Sequence, residues 1–171
     1  YNNFDQLNRL VENHEIGVIK MEVQRSEPPK DQFLEKVRKL ATDKNIVLIF
    51  DECTSGFRET FGGLHKKYEV NPDMAVFGKA LGNGYAITSV IGRREIMEAA
   101  QSTFISSTFW TERIGPAAAL KTLEVMEYEK SWETITSTGL LIREGWQKLA
   151  DRHGLKIAHW GLPTLTGFTI Q

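Results

Sequence analysis

Three features of the 171-residue chain predict an α/β fold with a mostly parallel central sheet, running into the start of a small α+β region. The first is a pair of short apolar runs, Ile46–Phe50 and Met74–Phe77, each too short for a helix core. The second is the order strand, helix, strand across residues 17–50, a βαβ unit that is right-handed by rule. The third is a change near residue 128, after which a long helix leads into two short strands. We therefore expect an α/β part followed by a smaller α+β region that the chain leaves unfinished.

Composition is that of an ordinary globular protein, 41% apolar and 25% charged with a net charge of −1, so no polyanionic partner is expected. No apolar stretch approaches transmembrane length, and the start YNNFDQLNRL is no signal peptide. A single cysteine excludes an internal disulfide and any multi-cysteine metal site. His14, His65, His153 and His159 are scattered without ligand spacing. A cytoplasmic, metal-free protein with no membrane or nucleic-acid partner is the expectation.

Apolar spacing at Phe4, Leu7, Leu10 and Val11 makes residues 3–15 a short amphipathic helix. The first strand, 17–23, follows it without an earlier partner, so the sheet reads as cut from something longer. Paired prolines make 24–30 a loop. Phe33, Leu34, Val37, Leu40 and Ala41 form the buried stripe of a helix over 31–43, with Lys36 to Lys44 on its solvated face. Residues 46–50 form a buried parallel strand. The connection 53–71 is long, polar and glycine-bearing, and such connections usually carry function. After the strand 74–77 come a strand over 88–92, a helix over 93–101 and a hydroxyl-rich stretch from Phe104 to Trp110. Long helices follow over 114–128, with Pro116 in the first turn, and over 132–153, closed by Gly154. Residues 155–158 and 165–170 are the two final strands.

Chemistry concentrates where the two apolar runs end. Ligands of open α/β sheets bind beyond the carboxyl ends of the strands. An acid, Asp51, and an amine, Lys79, stand at two such ends. A phosphate-binding P-loop is excluded for Lys79, because Ala80 follows it and Asp73 stands where the earlier glycine belongs. Two readings remain: an amine for Schiff-base chemistry, or a solvated surface lysine. Asp51 likewise reads as the carboxylate that keeps a pyridine nitrogen protonated, or as a loop anchor.

The segments Leu48 to Glu52, Thr54 to Arg58, Pro72-Asp73 and Gly78 to Gly84, in that order and spacing, resemble the class III pyridoxal-phosphate aminotransferases. Within them the glutamate-1-semialdehyde aminomutase branch is the most similar. The resemblance implies that 1–128 is the carboxyl-side part of the type I large domain, that 129–171 begins a small and incomplete domain, and that pyridoxal 5′-phosphate is the cofactor. It implies that Lys79 forms the internal aldimine and shuttles the proton, and that Asp51 pairs with the ring nitrogen. Cys53 falls where the family has a small apolar residue against the ring. Ser107 and Thr108 match a hydroxyl pair whose threonine binds the cofactor phosphate of the neighbouring subunit, which implies a homodimer with shared sites. The partners implied are a small-molecule amino donor and a carbonyl acceptor.

Some positions depart from the family pattern. Val23 follows Glu22 where the family has proline, Ala86 follows Gly84-Tyr85, and Trp110 to Pro116 replaces a Gly-Asn-Pro segment. Nothing in residues 1–17 resembles the family's upstream phosphate turn and ring-stacking aromatic. Arg58 reads as structural or as a partner for a substrate carboxylate, and His65 as a surface residue. An inactive scaffold of the same fold, or racemisation or decarboxylation on the same cofactor, stand as alternatives to amino-group transfer.

Overall fold

The structure is a computed structural model and describes residues 1–24, 26–106, 108 and 111–171. Helix α1 (Phe4–Asn13) opens the chain, with the Asn3 side chain accepting the Gln6 N–H as its cap. Strand β1 (Val18–Glu22), helix α2 (Phe33–Asp43) and strand β2 (Val47–Asp51) complete the expected βαβ unit. Helix α2 starts two residues later than expected, because Asp31 and Gln32 both take left-handed backbone angles, φ 51° and 57°. Strands β3 (Met74–Phe77) and β4 (Ser89–Gly92) finish a four-stranded sheet in the order β1-β2-β3-β4. The pairs β1–β2 and β2–β3 are parallel, and only β3–β4 is antiparallel.

Beyond the sheet, the helix expected over 93–101 is a single α-turn, α3 (Arg94–Met97), continued as a 3₁₀ turn. Two long helices follow, α4 (Ile114–Glu129) and α5 (Ser131–Arg152), joined at Lys130 in a left-handed conformation. The final strands β5 (Ile157–Trp160) and β6 (Gly167–Ile170) pair as an antiparallel two-stranded sheet. Strand β5 begins two residues later than its sequence signal.

One face of the sheet makes the core. Ile19 of β1, Leu48 and Phe50 of β2, and Leu34, Val37 and Ala41 of α2 interlock there, with Leu162 from the chain's last part added to the cluster. Parity along β2 turns Val47, Ile49 and Asp51 to the opposite, half-exposed face, so this strand is buried on one side rather than two. The basic side of α2 is not wholly solvated either. Arg38 reaches inward to Asp73 at 2.9 Å, and Asp73 also accepts from the Leu48 N–H at 2.8 Å and from Arg93 at 3.1 Å. One buried carboxylate thus ties together α2, β2, the approach to β3 and the residue following β4. Burial works to raise the Asp73 pKa, but its amide and guanidinium donors outweigh that and hold it below the usual carboxylate value.

Candidate active site

The carboxyl ends of β2 and β3 build the site. Asp51 is the last residue of β2, and because it faces away from buried Phe50 it keeps 25% of its side chain exposed. Its Oδ1 accepts the Cys53 N–H at 3.1 Å and its Oδ2 meets the Lys20 ammonium at 2.9 Å. The bond from Lys20 is the main reason that the Asp51 carboxyl is held below its ordinary pKa, against the pull of burial.

Its neighbour Glu52 turns the other way and is fully buried. The carboxylate accepts from Ser55 Oγ at 2.5 Å, from the Leu64 and His65 amides at 2.9 and 3.0 Å, and contacts His65 Nδ1 at 2.8 Å. Burial alone would raise the Glu52 pKa, yet these partners bring it below the usual value. They also fold the long 53–71 connection back onto the strand end. His65 is therefore not a surface residue: its side chain is 13% exposed and paired with Glu52. Gly56 completes the fold-back, since a Cβ there would stand 2.7 Å from the Glu52 carbonyl and from the Phe77 ring.

On the neighbouring strand end, Lys79 sits at φ +42°, a left-handed conformation that is sparse for a residue with a side chain. Its Nζ donates to Thr54 Oγ1 at 2.6 Å. The 3₁₀ turn Lys79–Leu81 that follows is closed by Gly82, where a Cβ would lie 2.2 Å from the Tyr85 carbonyl oxygen. Lys79 and Asp51 form no ion pair with one another, and the charges of both act on Cys53. Burial pushes its thiol pKa up, as does Asp51, while the charges of Lys79 and Lys20 pull it down. The acid, the thiol and the amine thus share one rim.

A cleft of about 770 Å³ opens beside Lys79, with Arg58, Tyr85 and Lys121 on its polar side and Val125 and Met126 on its apolar wall. The Arg58 Nε donates to the Thr54 carbonyl at 3.0 Å, and burial lowers the guanidinium pKa. Ser131, also lining the cleft, has a buried hydroxyl with no hydrogen-bond partner among the described residues. Thr108 lies in an exposed turn that does not line this cleft, and Ser107 lies outside the described residues.

Sequence reasoning did not single out Thr54, Lys20 or Ser131. A lone lysine within the apolar alternation of VIKME was the one available signal for Lys20. Nothing in the local pattern marked Thr54 as the partner of an amine 25 residues away.

The family description "Aminotransferase class-III" matches residues 13–159. Among curated proteins, the 3-aminobutyryl-CoA aminotransferase of Cloacimonas acidaminovorans is 38% identical over 144 residues, 84% of this chain and 35% of that protein. The glutamate-1-semialdehyde 2,1-aminomutase of Natranaerobius thermophilus is 34% identical over 143 residues, 82% of this chain and 33% of that protein. The chain thus spans about a third of the length of these relatives. Among solved structures, the PLP internal aldimine form of the Sphingopyxis sp. MTA144 FumI protein superposes over all of this chain and 43% of its own. The TM-score is 0.95 at 24% identity, a likeness of fold.

Proposed function

The chain belongs to the class-III aminotransferases, and we propose that it supplies the amine, the acid and the substrate-side cleft of an enzyme that transfers amino groups. The family's cofactor is pyridoxal 5′-phosphate, which when bound supplies an electron sink for negative charge at a substrate carbon. The donor set fits that group: an amine fixed by a hydroxyl, an ionised carboxylate on the same rim, and a half-buried small side chain between them. In this reading Lys79 would hold the cofactor covalently through its Nζ and Asp51 would face the ring nitrogen. Cys53 would lie against the ring, and Ser107 and Thr108 would bind the phosphate of a neighbouring subunit. The exposure of Thr108, away from the Lys79 cleft, is what such sharing in a homodimer requires.

The observation that carries the reading is Lys79 itself. A strained backbone aims its amine over the strand end, and Thr54 accepts one of its protons. Once free, that amine is placed to take a proton from a substrate carbon and return it at the acceptor position, the work of a general base and then a general acid. Thr54 orients it for that transfer. Arg58 stands where the carboxylate of an amino donor or carbonyl acceptor would enter. We also read residues 1–128 and 129–171 as parts of a large and a small domain, a division supported by the separate β5–β6 sheet.

Soluble small-molecule partners and a cytoplasmic location belong to the same proposal; no helix among the described residues is long and apolar enough to cross a membrane. The test is amine transfer from a donor panel to a keto acid by the full-length protein, compared with its Lys79→Ala variant. Transfer by the wild type and none by the variant is the expected result. Normal multiple turnover by the variant would defeat the assignment, and an inert wild type would favour the scaffold alternative.

A further inference from the structure

One contact at the rim has no part in the chemistry just described. Lys20 lies mid-strand in β1, on the face it shares with Glu22, and Glu22 is the register partner of Asp51. From one step down the strand, its ammonium reaches diagonally to Asp51 Oδ2 at 2.9 Å. On this half-exposed face its neighbours are the apolar Val18, Val47 and Ile49 and, at the strand ends, the carboxylates Glu22 and Asp51, so what distinguishes the lysine here is its charge beside Asp51. Around Asp51 the charged and titratable groups are Lys20 and Glu22 on β1 and Cys53 on its own chain segment; Lys79 acts beyond Cys53, and the β3 partner, Val76, is neutral.

We propose that Lys20 is a positioning residue that shares Asp51 with the cofactor's ring nitrogen, fixing the carboxylate while making that nitrogen release its proton more readily than an unshared carboxylate would. This rests on the reading that Asp51 faces the ring nitrogen. The physical argument is the sign of the charges. A carboxylate stabilises a protonated ring nitrogen by opposing its positive charge. An ammonium 2.9 Å from the same carboxylate draws on that negative charge and itself repels the pyridinium. The result is a damped electron sink: ring protonation, and the acidity it lends to the substrate carbon, becomes dependent on pH in a range where an isolated Asp would hold it constant. The Cys53 N–H occupies Oδ1, so the carboxylate cannot simply rotate away from the lysine to serve the ring alone without breaking a second bond.

The experiment loads the full-length protein with pyridoxal phosphate labelled with ¹⁵N in the ring and follows the ring-nitrogen chemical shift against pH. Lys20→Met is expected to raise the midpoint of ring deprotonation by about one pH unit, a tenfold change, since opposite charges at this distance shift pKa values by one to three and the lysine is largely exposed. Lys20→Arg, which keeps the charge, is expected to restore the wild-type midpoint; loss of folding support alone would not be rescued in this way. An unchanged or lowered midpoint in Lys20→Met overturns the proposal. Asp51→Asn separates the two levels of the argument. If it lowers the midpoint while Lys20→Met does nothing, only the role of Lys20 falls. If Asp51→Asn also leaves the midpoint in place, Asp51 does not face the ring and both readings fall.

Discussion

The two ends of the four-stranded sheet each carry a carboxylate surrounded by donors, and they are used in opposite ways. At the amino-terminal end of β3, Asp73 is 5% exposed and satisfied by an amide and two arginines. At the carboxyl end of β2, Asp51 is a quarter exposed and held by one amide and one exposed lysine, with an amine, a thiol and a cleft close by. A carboxylate that joins four segments cannot exchange partners without loosening the fold. One gripped by an exposed lysine can. The spare bonding capacity of Asp51, and the strained Lys79 on the same rim, are why the chemistry is proposed at this end of the sheet.

Substitutions should separate the two ends. The largest effect on activity is expected from Lys79→Ala, with amine transfer falling by about a thousandfold or more, on the scale of losing a nucleophile and proton-transfer group together, while the thermal midpoint stays close to wild type. The largest effect on stability is expected at the other end. Asp73→Ala leaves Arg38 and the Leu48 amide without their partner and should cost about 3 kcal/mol in denaturant unfolding, with Asp51→Ala costing under about 1 kcal/mol. Equal costs at the two positions would erase the contrast drawn here.

Glu52→Gln should fall between these, at about 2 kcal/mol, because it weakens a buried acceptor of three donors and unpairs His65. Thr54→Val is the smallest in stability and the most selective. It removes the hydroxyl that orients the amine and should slow transfer roughly tenfold with little change in unfolding.

Acid provides a further test. Asp73 and Glu52 both have folded pKa values below their unfolded ones, so their stabilisation is fully present above the unfolded carboxylate range, near pH ~4, and is lost as pH falls through the lower folded values. Unfolding free energy should therefore decline steeply only below about pH 4, and Asp73→Asn should flatten that decline.

Much of this was legible in the sequence, and the illegible parts share one cause. Short apolar runs ending in Asp51 and Gly78-Lys79 announced both strand ends, and local periodicity predicted α1, α2, α4 and α5 to within a few residues. Those are statements about neighbours in the chain. The roles of Lys20, Thr54 and Arg38 depend on residues 25 to 35 positions away, brought close by strand register and helix packing. His65 was misread for the same reason: the polar loop around it suggests solvent, whereas its partner Glu52 lies buried 13 residues earlier. The one-sided burial of β2 was hidden because Val47 and Ile49 are as apolar as Leu48 and Phe50, so no alternation showed.

The most direct test of the central claim is to add pyridoxal phosphate to the full-length protein, reduce with borohydride, and map the modified peptide by mass spectrometry. A single, near-stoichiometric adduct on Lys79, reduced in yield by Thr54→Val, is the predicted result. An adduct spread over Lys66, Lys67, Lys121 and other exposed lysines, or none at Lys79, would contradict it.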